Sequence, residues 1–150
     1  MDKTQLRKLI KETLLEIQLY SPESVNLILG TIAQESHLGI YIEQIQGPAL
    51  GICQMEPATH DDIWDNYLNF KKELFNKIVL LTTQGPNADE MRWNLKYAIA
   101  MCRVHYLRVP SPIPFALSGQ AHYWKDHYNT YKGAGTVKQY ISNFKRFVIE

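Results

Sequence analysis

The sequence predicts a single, mainly α-helical domain with a small irregular or short-hairpin lobe after its second helix. Three observations predict it. Apolar residues recur at three- and four-residue spacing over most of the chain, proline and glycine break that spacing only briefly, and one stretch, residues 40–56, loses it altogether. A length of 150 residues suits one domain around one core, and no repeat, low-complexity tract or linker divides it, so residues 1–150 are read as one unit. With 45% hydrophobic and 21% charged residues, wholesale disorder is excluded.

The first helix is expected over residues 3–19, where Leu6, Ile10, Leu14 and Ile17 share a face. Ser21-Pro22-Glu23 reads as an N-cap followed by proline at the first helical position. Val25, Ile28, Leu29, Ile32 and Ala33 carry an apolar face on to Ser36, with Gly39 as the stop. Ile40, Ile42 and Ile45 alternate loosely, and Gly47-Pro48 and Gly51 punctuate the segment. Helical patterning resumes at Pro57 with Ile63, Trp64, Tyr67 and Leu68, continues over 70–82, and stops at the turn Gln84-Gly85-Pro86-Asn87. The longest helix is expected from Ala88 to Arg108, with Met91, Leu95, Ala98, Ile99, Cys102 and Tyr106 inward. Pro110, Pro112 and Pro114 force a break, a further helix covers about Phe115 to Asn129, and Lys132-Gly133-Ala134-Gly135 is a loop. Thr136 then caps a last helix through Phe147.

Several function classes fall away at this level. No apolar run approaches the ~20 residues of a membrane span, and the opening Met1-Asp2-Lys3-Thr4-Gln5 passes straight into an amphipathic pattern, so no signal peptide and no membrane insertion are expected. The net charge is +1, but residues 1–102 are acidic on balance and residues 103–150 basic. That bias suits an anionic polymer and falls far short of the dense basic stripe of a nucleic-acid binder, so no nucleic-acid partner is expected. Cys53 and Cys102 lack metal or redox spacing and read as buried thiols. His122 and Asp126 stand at i, i+4 beside His127, but no zincin pattern completes a site, and neither metal nor cofactor is expected.

The informative stretch is Ala33-Gln34-Glu35-Ser36-His37, followed by Gly47-Pro48-Ala49-Leu50-Gly51-Ile52-Cys53-Gln54-Met55-Glu56-Pro57-Ala58-Thr59. It resembles the soluble lytic transglycosylase and goose-type lysozyme group of the lysozyme superfamily. That group carries Glu-Ser at a helix end and then a loop of the form Gly-x-x-Gly-hydrophobic-x-Gln-hydrophobic-x-Pro-x-Thr. Here Gly51, Gln54, Pro57 and Thr59 follow Glu35-Ser36 in that order. Asn94-Leu95 with Tyr97 and Tyr106-Leu107 is similar to the group's Asn-Ile segment. Ala121-His122-Tyr123 stands where the group has Ala-Tyr-Asn-Ala-Gly, with Trp124-Lys125 in place of Asn-Ala. The likeness covers roughly residues 22–128.

The resemblance implies an α+β lysozyme-like fold and cleavage of the MurNAc-GlcNAc β-1,4 bond of peptidoglycan, by a lytic transglycosylase or a muramidase. Glu35 is then the catalytic residue, and Ser36, Gly51, Gln54 and Tyr123 are its substrate-binding companions. Physical chemistry supports Glu35 independently. The leaving oxygen needs a proton as the glycosidic bond breaks, so the acid must hold its proton near neutral pH. Burial at the C-terminal end of an apolar helix, near the negative pole of the helix dipole, raises a carboxyl pKa.

Each companion has a plainer reading beside the functional one. Gln54 offers an amide to a sugar hydroxyl or acetamido group or braces a turn, and Ser36 contacts substrate or satisfies local backbone. Gly51 and Gly47 let backbone approach a sugar, whereas Pro57 and Thr59 read as structural. Glu43, Glu56, Asp61 and Asp62 are the candidates for a second carboxylate, each readable as a solvated surface group. The resemblance implies that none is needed: one Glu serves as acid and then base, and the substrate's acetamido and 6-hydroxyl groups complete a 1,6-anhydro product. Among Tyr41, Trp64, Tyr97, Tyr123, Trp124, Tyr128 and Tyr131, Tyr123 is the first choice for a sugar contact, because it matches the group's tyrosine. Tyr128-Asn129-Thr130 followed by Lys132-Gly133-Ala134-Gly135-Thr136 is a polar, glycine-punctuated loop that is read as closing one end of the cleft.

Peptidoglycan glycan strands are therefore the expected partner. A protein made in the cytoplasm without a secretion address, yet acting on the bacterial cell wall, suits a phage lytic or virion-associated component. The alternative expectation is a non-catalytic glycan-binding or virion structural protein that keeps the same fold.

Overall fold

The computed structural model describes residues 1–150, and they form seven α-helices joined by tight helical turns and irregular segments. No helix is long and apolar enough to cross a membrane. Helix α1 (Lys3–Glu16) starts where the Asp2 side chain accepts from the Gln5 backbone N–H at 2.9 Å, and it buries Leu6, Ile10 and Leu14. It stops before residue 19 because Gln18 takes a left-handed conformation, φ 59°, and the Leu19 N–H turns back to the Leu14 carbonyl.

Helix α2 (Pro22–Ser36) is the central element, packed by α1, α5 (Leu95–Leu107), α6 (Leu117–Trp124) and α7 (Val137–Phe144). Its start is reciprocal: the Ser24 N–H donates to Ser21 Oγ and the Ser21 N–H to Ser24 Oγ, with Pro22 at the first position. Val25, Leu27, Ile28, Leu29, Ile32 and Ala33 are all buried, so this helix is apolar nearly all round. Gly30 is where α7 comes closest, since a Cβ there would lie 2.0 Å from the Tyr140 hydroxyl.

Residues 40–56 form the small lobe. Isolated antiparallel bridges pair Glu43 with Leu50 and Leu50 with Met55, giving irregular chain with hairpin-like turns. Helices α3 (Pro57–Asn66) and α4 (Lys72–Val79) follow, joined by a single tight turn over Leu68–Phe70.

The helix expected over 88–108 is two pieces. A tight helical turn, Ala88–Arg92, is separated from α5 at Trp93 and Asn94. Asn94 makes the break: its Oδ1 accepts from the Tyr97 N–H at 3.0 Å as an N-cap, while its Nδ2 donates to Leu81 O and to the buried Glu90. The segment expected to be helical over 115–129 starts later, at Leu117, and widens after Trp124 into a π turn, Lys125–Asn129. Helix α7 is capped by Thr136, with Gln139 returning the bond, and it too ends in a π turn, Lys145–Ile149. Thirty-three buried residues, drawn from all seven helices and the turns between and after them, form one contiguous hydrophobic core, to which the π turn Lys125–Asn129 adds none.

Candidate active site

Glu35 sits in the last turn of α2, one residue before the helix ends. The termination occurs at His37 rather than Gly39, and His37, Leu38 and Gly39 run consecutively through the left-handed region with φ 49°, 60° and 83°. Ser36 holds that turn. Its buried Oγ donates to the Ile32 carbonyl at 3.1 Å and accepts from the Gly39 N–H at 2.9 Å, and the Leu38 N–H also returns to Ile32 O. Both hydrogen-bonding directions of Ser36 are thus used on backbone, and it does not line the cleft that Glu35 faces.

The Glu35 carboxyl has one hydrogen bond in the protein, from the indole N–H of Trp124 to Oε1 at 3.0 Å. Every buried side-chain nitrogen and oxygen has a partner, so the unpartnered Oε2 is not buried. Glu35 lines a cleft of about 530 Å³, and Oε2 is its open atom there. Burial pushes the carboxyl from its ordinary value near 4.5 up to about 7, with the Trp124 hydrogen bond opposing that rise by favouring the carboxylate. At neutral pH a large share of Glu35 therefore carries a proton that a substrate oxygen can take.

One wall of the cleft is the small lobe, through Gln44, Ala49, Gln54 and Met55, with Glu56 and Thr59 at the start of α3. Gly51 seats this wall. With φ 78°, a Cβ there would lie 2.3 Å from the Met91 carbonyl, so only glycine lets the lobe rest on the 88–92 turn. Gln54, at φ 50°, donates both its backbone N–H and its Nε2 to the Gly51 carbonyl at 3.0 and 2.8 Å. Its Oε1 is left without a protein partner and lies among unburied atoms. Gln54 thus braces the turn and still presents an acceptor to the cleft.

The opposite wall comes from His105 on α5 and from residues 127–130 and 132–134. The Tyr128 hydroxyl donates to the Cys53 carbonyl at 2.6 Å and so ties this wall to the lobe. His105 donates from Nε2 to the His127 carbonyl at 2.8 Å, and burial lowers its pKa, which favours the neutral ring. The Lys125 ammonium gathers the loop, donating to Asn129 Oδ1, Gly133 O and Gly135 O at 2.7, 3.0 and 2.7 Å.

The structure therefore brings Glu35 and Gln54 to one cleft, with Gly51 beneath as packing rather than lining. Tyr123 is not among the lining residues. Its ring is buried between Tyr106 and His127, and its hydroxyl donates to the Ser111 carbonyl at 2.9 Å. The aromatic in the cleft wall is Tyr128, five residues on, carried there by the wide turn after α6. Of the four carboxylates considered beside Glu35, three are engaged elsewhere: Glu43 with Arg92 at 3.0 Å, Asp61 with the His60 ring at 2.8 Å, and Asp62 with Arg108 at 2.8 Å. Only Glu56 faces the cleft, exposed and unpaired.

No three His, Cys, Asp or Glu side chains stand close enough together to hold a metal ion. Cys53 is a buried thiol, and its neighbour Cys102 and burial together hold its pKa well above the ordinary thiol value. The loop of Tyr128-Asn129-Thr130 and Lys132-Gly133-Ala134, read in the sequence as closing one end of a cleft, lines the one that Glu35 faces. His105, on α5, was not singled out, because no local pattern states which face of that helix the loop covers. Compared with family models, curated proteins and solved structures, the chain matches none.

Proposed function

We propose that this chain cleaves the β-1,4 bond between N-acetylmuramic acid and N-acetylglucosamine in peptidoglycan, with Glu35 as general acid. One observation carries the reading: a half-buried carboxyl whose pKa lies at about 7 opens a single free oxygen into a polar cleft. The resemblance of Glu35-Ser36 and the Gly51–Gln54 loop to soluble lytic transglycosylases and goose-type lysozymes supplies the substrate class. Glu35 gives its proton to the leaving oxygen as the C1–O bond breaks.

The resemblance favours one carboxyl acting twice, while Glu56, exposed and unpaired, is the other acidic side chain in the cleft. In that course the substrate's acetamido oxygen bonds to C1 as the leaving group departs. Glu35, now ionised, takes the proton of the 6-hydroxyl, whose oxygen displaces the acetamido group and closes a 1,6-anhydro ring. A muramidase outcome differs only in that water, not the 6-hydroxyl, reaches C1. The replacement of the group's Asn-Ala by Trp124-Lys125 favours a second reading, a glycan-binding or virion structural protein without turnover.

Clearance of a suspension of purified cell walls by the protein and by Glu35→Gln tests both readings. Expected is clearance by the native chain and a loss of about 10²- to 10⁴-fold in the variant, the scale of a general acid. Equal clearance by both removes Glu35 from the mechanism, and clearance by neither leaves the binding reading. Mass spectrometry of the released muropeptides then separates anhydro from reducing ends.

A further inference from the structure

We propose that Trp124 is a positioning residue for the acid: its indole N–H reserves Oε1 of Glu35 as an acceptor and so assigns the proton to Oε2, the oxygen open to the cleft. This rests on the reading of Glu35 as the acid. An indole nitrogen only donates. The carbonyl oxygen of a carboxylic acid is a far better acceptor than its hydroxyl, so the tautomer with the proton on Oε2 is the one that the 3.0 Å contact selects. Without such a partner the two oxygens would share the proton, and half of the acid population would present the wrong atom to the leaving group.

The ring is built to hold that direction. Trp124 is fully buried, and Tyr140 lies against it at 5.3 Å with the planes tilted by 33°. Its far edge meets Gly135 so closely that a Cβ there would lie 2.6 Å from Cη2. The next residue, Lys125, fixes the Gly133 and Gly135 carbonyls, so the loop that covers the indole is anchored from the same turn. The indole N–H has no acceptor other than Glu35, and the Glu35 carboxyl has no other protein donor.

The titratable groups facing Glu35 are Cys53 from the lobe, Tyr106 from α5 and Tyr128 from the π turn, all held in their neutral forms, with pKa values well above ordinary. His105, His127, Glu56 and Lys132 complete the cleft around it. None of these groups donates to the carboxyl, so the indole is the one fixed dipole on it.

The test uses the intact chain. In the native protein, the side-chain N–H resonance of Trp124 should titrate with the same midpoint as the Glu35 carboxyl carbon, and this coupling should vanish in Glu35→Ala. Trp124→Phe removes the donor together with the ring edge that meets Gly135, so its fold is first checked by its unfolding midpoint. Its kcat should fall roughly ten- to a hundredfold, as a misplaced group does, with KM nearly unchanged. The alkaline limb of its pH profile should move upward together with the carbon-detected pKa of Glu35, a coupled shift that a merely structural role would not produce. An indole resonance indifferent to Glu35 titration, or a folded Trp124→Phe with native kcat and native Glu35 pKa, overturns the proposal. Full wall clearance by Glu35→Gln would sink the acid reading instead, while the indole titration would still report whether the hydrogen bond exists.

Discussion

Glu90, in the turn before α5, and Glu35, at the end of α2, are both withdrawn from water and are supplied with donors very differently. Glu90 is 2% exposed, and its two oxygens accept from the Thr83 N–H, the Thr83 hydroxyl and the Asn94 amide at 2.6–3.2 Å. Glu35 accepts a single bond from Trp124 and keeps one oxygen free. The donors around Glu90 are spent on holding three segments together: the end of the α4 region, the 88–92 turn and the start of α5. The near-absence of donors around Glu35 is what lets burial raise its pKa to about 7. The difference separates a carboxyl that serves the fold from one that the fold leaves ready for chemistry.

The largest effect on stability is expected at Glu90. Glu90→Gln puts an amide NH₂ where an oxygen now accepts, facing the N–H groups of Thr83 and Asn94. Losing bonds to a buried carboxyl and opposing donor to donor should cost about 3 kcal/mol. Urea unfolding should show a lower midpoint with an unchanged slope. A loss below about 1 kcal/mol would mean that the Glu90 donors are not structural, and the contrast with Glu35 would collapse.

At Glu35 the sign reverses. Its folded pKa is raised from about 4.5 to about 7, so the folded state binds the proton more tightly than the unfolded chain does. The stability this confers is fully present below pH 4.5 and is lost as pH rises to about 7. Glu35→Gln removes that dependence and still offers Trp124 an oxygen. Relative to the native chain it should be more stable by on the order of 2 kcal/mol at pH 8, a figure discounted because Oε2 meets solvent. The two proteins should converge below pH 4.5. Equal unfolding midpoints for the two at pH 8 would show that burial places no strain on the carboxylate.

Much of this contrast can be read in the sequence, but unevenly. Glu35 is legible because local patterns mark it: an apolar helix that ends, then glycines and a glutamine at fixed spacing. The capping of α2 and α7 is legible for the same reason, since Ser21 and Thr136 act on neighbours three residues away. The break at Asn94 was written locally too, as a capping residue inside an apolar period, and the period alone hides it. Trp124 could be noticed only as a departure from a motif. Its contact with Glu35 spans 89 residues and depends on how α6 packs beside α2, which no spacing states. Glu90 gave no signal at all, because a buried glutamate and a solvated one look alike until Thr83 and Asn94 are folded around it.

Tyr123 supplies the smallest effect and the sharpest limit on the comparison. The motif likeness chose it for substrate, yet its hydroxyl is spent on the Ser111 carbonyl and its ring packs outside the cleft lining. By the logic that separates Glu90 from Glu35, a group whose bonds are all used within the protein should matter to folding and not to turnover. Tyr123→Phe removes one neutral hydrogen bond, and Ser111 is exposed, so water replaces the lost donor. Unfolding should be easier by no more than about 1 kcal/mol, with wall-clearing activity within about twofold of native, since no contact to a leaving group is lost. A folded Tyr123→Phe with clearance reduced tenfold or more would place sugar beyond the cleft wall. It would also show that a side chain already bonded within the protein can still be recruited by substrate, which the difference between these two glutamates argues against.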